Sequence, residues 1–147
     1  MKSRSDWALG AVVLSILWIS TGAAPASAGG GCSLRTLKGA YEYAGDGFKT
    51  AGDNAAQRTP FAQSGREVFN GDGTMSGMGT ASMNGATVRL TYKGTYTLNA
   101  DCAGAVTFTD NQGQASHYDI FVDAGGERLS WVQTDPSIVS AGWESRR

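Results

Sequence analysis

Alternating apolar and polar positions, broken at short intervals by turn-forming residues, run through most of the chain beyond residue 38. The clearest stretch is Ala86 to Leu98. There Val88, Leu90, Tyr92, Tyr96 and Leu98 fall on one face with Gly94 among them, and Thr87, Arg89, Thr91, Lys93, Thr95 and Thr97 fall on the other. Successive side chains of a strand point to opposite faces, so a period of two places one face in a core and the other in water. Turn chemistry recurs between such runs at Asn70-Gly71-Asp72-Gly73, Asn84-Gly85, Asn99-Ala100-Asp101, Asp110-Asn111-Gln112-Gly113, Asp123-Ala124-Gly125-Gly126 and Asp135-Pro136-Ser137. Asn, Asp and Gly tolerate the positive φ of tight hairpins, and Asn84-Gly85 is the strongest such pair.

These boundaries predict eight strands, at about Gly39 to Gly45, Phe61 to Asn70, Thr74 to Met83, Ala86 to Leu98, Ala103 to Asp110, Ala115 to Asp123, Arg128 to Thr134 and Ile138 to Ser145. No segment beyond the N-terminal region has a helical period, although Leu34 to Ala40 has room for one short turn. Eight strands joined by short turns form an antiparallel meander, which removes its exposed edges by closing into an up-and-down β-barrel. A two-sheet sandwich is the alternative, but it calls for crossover connections that the short turns do not supply. The fold class expected is therefore all-β, a closed eight-stranded barrel. The one long link, Phe48 to Pro60, reads as a mobile loop at a barrel mouth.

The same alternation assigns the inner face of the other strands. Tyr41 and Tyr43 share a face, as do Val106 with Phe108, Tyr118 with Ile120 and Val122, and Val139 with Ala141 and Trp143. In the third strand Met75, Gly77, Gly79, Ala81 and Met83 are taken as the inner face. A strand lined by glycines leaves space, so a cavity is expected there, opposite Tyr92 and Tyr96.

The N-terminal region changes the picture of where the protein works. Lys2 and Arg4 precede an apolar run from Trp7 to Ile19, and Ala26-Ser27-Ala28 follows. This is the order of zones of a cleavable secretory signal peptide. The run is shorter than the roughly 20 residues that a spanning helix needs. A lipoprotein signal ending at Cys32 would want a Leu-like residue where Gly29 stands. The expected organisation is residues 1–28 as signal and residues 29–147 as one β-barrel domain, secreted or periplasmic.

Of 12 basic and 13 acidic residues, Lys2, Arg4 and Asp6 fall in the signal, so the domain has a net charge near −2. No basic patch stands out, which argues against nucleic acid as a partner. Two cysteines remain, Cys32 and Cys102. In an oxidising compartment an even count points to a disulfide, here closing a long loop, rather than to redox chemistry, for which there is no Cys-x-x-Cys. Insertion as an outer-membrane barrel is not expected, because the outward face of the Ala86 to Leu98 strand carries Thr, Arg and Lys instead of an apolar band.

Three stretches carry a family resemblance: Phe69-Asn70-Gly71-Asp72-Gly73-Thr74, Gly94 through Gly104, and Thr134-Asp135 through Ser140-Ala141-Gly142. With them the chain resembles a group of small secreted bacterial proteins of unassigned activity and, more distantly, the allene oxide cyclase and dirigent type of eight-stranded barrel. The resemblance implies a calycin-like barrel with an apolar lumen, in which some members close rings or steer radical coupling. The matching residues are turn and strand residues, and they carry no catalytic signature.

Chemistry-bearing residues are few. His117 is the only histidine and shares a strand face with Asp119. Facing inward, the two would make a base and its orienter. Facing outward, as expected from the stronger core claim of Tyr118, Ile120 and Val122, they are solvated residues. No nucleophile elbow, zinc ligand set or complete calcium loop is present, and no cofactor is expected. Asn70-Gly71-Asp72-Gly73 is read as a hairpin turn. Glu42, Glu67 and Asp135 are candidates for paired carboxylates, with nothing in the sequence to fix their separation.

The aromatic residues suggest more. Tyr41, Tyr43, Tyr92, Tyr96, Phe108 and Tyr118, with Phe69, Trp131 and Trp143, are many for this length. They either fill a small barrel or line a pocket for a flat apolar molecule, with phenol groups to orient it. The first six are the candidate ligand-binding residues. Three function classes follow: a binder of a small apolar or aromatic molecule, a cyclase or isomerase that folds its substrate in the lumen, and a cell-envelope interaction protein with a filled barrel. Cavity volume and the polar groups inside it discriminate among them. The sequence does not set the oligomeric state.

Overall fold

The structure, a computed structural model, describes residues 31–52 and 54–147, apart from the side chains of residues 54 and 55. The expected signal peptide, residues 1–28, lies outside the described residues. Among the described residues a 3-10 turn, Leu34–Thr36, leads into eight strands: β1 Lys38–Ala51, β2 Asn54–Asn70, β3 Thr74–Met83, β4 Ala86–Leu98, β5 Ala103–Asp110, β6 Ala115–Val122, β7 Arg128–Gln133 and β8 Ile138–Arg146. Each pairs antiparallel with its neighbour in sequence, and β8 returns to β1. The result is the closed up-and-down barrel that the meander predicts. Closure leaves no strand edge free to template association. Among the described residues no helix is long and apolar enough to cross a membrane.

The expected loop from Phe48 to Pro60 is instead strand. Pairing of β1 with β2 continues through Phe48–Pro60, Lys49–Thr59 and Thr50–Arg58, shifts after Thr50, and turns at Gly52, whose φ is +57°. Pro60 and the small polar residues misled the sequence reading. Proline is harmless here because the Pro60 carbonyl accepts from the Asn84 amide at 3.0 Å. Its nitrogen therefore faces the β3–β4 turn, and no bond to β1 is lost. The Arg58 guanidinium lies over the Phe48 ring at 4.9 Å, and the Thr50 amide donates to the Ser137 carbonyl at 2.8 Å. The first contact joins the two arms of the hairpin, and the second ties it to the β7–β8 turn.

One end of the barrel is sealed. Leu37 and Phe69 are fully buried there, with Tyr41 and Tyr96 beside them. The Tyr96 hydroxyl lies 2.8 and 2.9 Å from the carbonyl oxygens of Leu34 and Leu37. The Tyr41 hydroxyl donates to the Gly126 carbonyl and accepts from Arg146 Nε at 3.1 Å and Nη2 at 3.0 Å. Arg146 also reaches the Thr36 carbonyl at 2.8 Å and Glu127 at 3.2 Å. Cys32 and Cys102 are disulfide-bonded with Cα atoms 5.0 Å apart, tying the segment before β1 to the β4–β5 turn. The opposite end, at the turns between β1 and β2, β3 and β4, β5 and β6, and β7 and β8, is the mouth.

The inner face of β4 is as the alternation predicts. Tyr92 and Tyr96 are buried, Val88, Leu90 and Leu98 half-buried, and the Thr, Arg and Lys face is exposed. On β8 the expected parity is reversed. Val139 and Trp143 are 55% and 58% exposed, and Ser140, Gly142 and Glu144 face inward. Two constraints fix this register. Arg146 shares the parity of Glu144 and is bound into the sealed end. The Trp131 ring also lies across Gly142 and Gly45, where a Cβ would overlap it. A one-residue slip would drive Trp143 into that space.

Candidate functional site

The lumen has two unlike walls. Along β4 to β7 the inner side chains form a chain of rings. Tyr92 stacks on Phe108 with centroids 4.3 Å apart, Phe108 on Tyr118 at 5.4 Å, and Tyr118 meets Trp131 edge-on at 5.4 Å. The opposite wall, from β8 through β1 to β2, carries Glu144, Tyr43 and Glu67. The register sets Tyr43 opposite Glu144 and Tyr41 opposite Glu67, so the two carboxyls enter the barrel on either side of β1. Val106, Ile120 and Gln63 complete the lining.

The space between the walls is narrow. The volume open to the centre of a water molecule is ≈ 30 Å³, continuous with ≈ 360 Å³ of interstitial space that extends to solvent. One water needs about 10–15 Å³ by the first measure, so the core has room for about two. The glycines of β3 do not leave the cavity expected of them. The Tyr92 ring lies against Gly77 and the Tyr43 hydroxyl against Gly79, so close that a Cβ would overlap either. The missing side chains on β3 and β8 make room for rings, not for solvent.

Burial sets the electrostatics. Glu67 accepts from the Tyr92 hydroxyl at 2.9 Å. Loss of water raises its pKa from the ordinary 4.5 to about 7, against the opposing pull of that bond. Glu144, 5% exposed, is raised well above 4.5 by burial and then by the charge of Glu67. Among the described residues its Oε2 atom has no hydrogen-bond partner, and neither has the buried hydroxyl of Ser140. Burial lifts the Tyr43 phenol to about 12, with its bond to Tyr92 opposing. It likewise raises the phenols of Tyr92, which Glu67 and Tyr43 push further, and of Tyr118, where a Ser116 bond opposes. All three stay protonated at neutral pH and present hydroxyls, not phenolates.

Of the six candidate ligand-binding residues, Tyr43, Tyr92, Phe108 and Tyr118 line this lumen, while Tyr41 and Tyr96 belong to the sealed end below it. His117 faces outward and pairs with Asp135 at 2.6 Å, not with exposed Asp119. Partial burial opposes the charge on Asp135, but donation from Gln133 and His117 outweighs it and holds the carboxyl below its ordinary value. Glu42 is outside, 3.5 Å from Arg66 and 3.2 Å from Arg147. The partner of Glu67 is therefore Glu144, which the sequence reading missed by turning Trp143 inward. The signal for it was the spacing Gly142, Glu144, Arg146, which matches the small residues of β1 and the anchor of the sealed end. Among the described residues no three acidic, His or Cys side chains gather as a metal site.

No known protein family and no curated protein matches the chain. Its likeness is to solved barrels. A redesigned β-barrel, mFAP1, bound to DFHBI, superposes with a TM-score of 0.55 over 78% of this chain and 98% of its own, at 13% identity. A second, EF1p2_mFAP2b bound to DFHBI, also gives 0.55, over 79% and 100%, at 11% identity. At such identities the likeness establishes the fold alone.

Proposed function

We propose that the protein is an exported small-molecule binder that takes a small, flat, largely aromatic ligand into its lumen. The observation that carries this reading is the pair of unlike walls: three stacked rings and a fourth set edge-on to them, facing two buried carboxyls, above a sealed floor and below a mouth. A barrel filled only to be rigid would be expected to use apolar side chains throughout, because each buried carboxyl costs stability. Two similar barrels are bound to DFHBI, which supports a barrel of this shape as a small-molecule binder. The ligand is small, since the core as folded has room for about two waters, and entry of a ring requires lining side chains to move. The disulfide supports export to an oxidising compartment, in keeping with the signal peptide expected from the sequence.

Titration with DFHBI, followed by quenching of intrinsic fluorescence, tests this. Saturable quenching that weakens when Tyr118 is replaced by Ala is the expected result. No binding of DFHBI or of any small aromatic compound would leave the envelope interaction protein as the better account.

A second reading is favoured by one observation, the burial of Glu67 in the lumen beside the Tyr92 hydroxyl, a burial that raises its carboxyl to about 7. A group so tuned can take and return a proton near neutral pH. That is what a cyclase or isomerase of the allene oxide cyclase type of barrel would need, with the aromatic walls preorganising the substrate. Once a substrate is in hand, Glu67→Gln separates the readings: turnover lost with binding kept makes the protein an enzyme. His117 faces solvent and would leave both unchanged.

A further inference from the structure

Among the described residues the lumen is lined by acidic groups and by no basic one. Glu67 on β2 and Glu144 on β8 reach into it, and the other titratable groups lining it are the phenols of Tyr43 on β1, Tyr92 on β4 and Tyr118 on β6. No Lys, Arg or His is among its lining residues. Arg146, which shares the inward parity of Glu144 on β8, is committed to Tyr41, Thr36 and Glu127 at the floor. Tyr92 satisfies one oxygen of Glu67, but Oε2 of Glu144 is buried without any partner. Buried carboxyls are ordinarily paired with cations or fully hydrogen-bonded. Here the matching donor is not supplied by the described residues.

We propose that the ligand supplies it: the lumen takes the protonated nitrogen of a small aromatic amine, with Glu144 and Glu67 holding the ammonium and the rings of Tyr92, Phe108, Tyr118 and Trp131 enclosing its apolar remainder. This inference rests on the lumen-binding reading above and names its ligand class. The two walls fit the two halves of such a molecule. An ammonium group is drawn to carboxylates and to the faces of Tyr and Trp rings, and a desolvated site strengthens both attractions. A calcium ion fits less well, because it wants six to eight oxygen ligands, and rings form half of this lining. As the cation enters, the carboxyl pair ionises and its protons leave to solvent.

The test uses the full chain at pH 8 and two probes of one shape, benzylamine and benzyl alcohol, by titration calorimetry in buffers of differing ionisation heat. Benzylamine is expected to bind about tenfold or more tighter than the alcohol, as a desolvated cation–carboxylate contact requires. Its binding should also release a proton into the buffer. Glu144→Gln keeps shape and hydrogen bonding and should remove the preference for the amine while leaving the alcohol within about twofold. Glu67→Gln, checked for folding by circular dichroism, should weaken the amine in the same direction. Equal affinity for both probes in the native protein would overturn the amine assignment and leave the lumen reading intact. Binding of calcium chloride in competition with benzylamine would also overturn it, in favour of a metal ion. Binding of neither probe, with DFHBI failing too, would remove both readings.

Discussion

Glu67 and Glu144 enter the same lumen from the strands on either side of β1, and no basic side chain of the lining separates them. Each is buried, and each has its pKa raised, Glu67 to about 7 and Glu144 well above 4.5. Raised carboxyls mean that the folded protein holds protons that the unfolded chain has released. Stability is thus greatest at and below the ordinary value of 4.5 and falls as pH rises through the folded values. The shift of Glu67 alone corresponds to roughly 3 kcal/mol lost between about pH 5 and pH 8. Urea unfolding across that window is expected to show the decline, and Glu67→Gln or Glu144→Gln should flatten it and raise stability at pH 8. A flat profile for the native protein would mean that the pair is solvated.

Trp131 depends on two glycines. A Cβ on Gly45 would lie 2.5 Å from the Trp131 Cη2 and Cζ2 atoms and 2.7 Å from the Ala141 carbonyl oxygen. Gly45→Ala is therefore expected to destabilise by about 1–3 kcal/mol through overpacking. Because the ring is one of the two obstacles, Gly45→Ala with Trp131→Phe should cost less than the sum of the two single changes. Additive costs in chemical denaturation would show that the Ala141 backbone, not the ring, meets the new methyl.

The fold was legible where a strand has one apolar and one polar face, as β4 does, and where its turn is written in Asn84-Gly85. It was illegible where apolar residues lie on the outside. Val139, Ala141 and Trp143 alternate as a core face should, yet two of them are mostly exposed, and the inner positions hold Ser140, Gly142 and Glu144. Periodicity gives the faces of a strand but not which face is inner. That choice is made by partners distant in sequence, here Trp131 across Gly142 and Arg146 at the sealed end. The candidate site followed the same division. Its rings were found because aromatic side chains alternate with polar ones on β4 and β6. Its carboxyl pair was not, because a buried acid violates the pattern by which burial is read. The hairpin of β1 and β2 was cut short for a related reason: Pro60 breaks a strand only where its nitrogen faces a paired neighbour.

The parity of β8 makes a sharp contrast between two tryptophans. Trp143 is on the outer wall and Trp131 in the lumen, 4% exposed. Trp143→Lys is expected to change stability by less than about 1 kcal/mol, as surface substitutions do. Trp131→Ala should cost about 3–5 kcal/mol, as loss of a buried aromatic does. Thermal unfolding of the two variants decides it, and a reversed order would mean that β8 is turned the other way.

The disulfide holds the floor of the barrel as well as the chain. Cys32 and Cys102 are 70 residues apart, and closing a loop of that length stabilises by about 4 kcal/mol in the chain-entropy model. The native contacts it guards are local: the Cys32 amide donates to the Ala100 carbonyl at 3.1 Å, the Tyr96 hydroxyl reaches the Leu34 and Leu37 carbonyls, and Arg146 reaches that of Thr36. Those tyrosine and arginine bonds do not need the sulfurs. The double variant Cys32→Ser, Cys102→Ser is therefore expected to fold with its floor formed, at a stability lower by about 4 kcal/mol. Urea unfolding measures the loss. Hydrogen exchange at the amides of Cys32, at the disulfide, and Tyr96, on β4, tells where it falls. If the loss is through the unfolded state, Tyr96 should exchange faster in proportion to the global change while staying protected. Selective loss of protection at residue 32 with little change in global stability would show instead that the bridge merely pins the segment before β1.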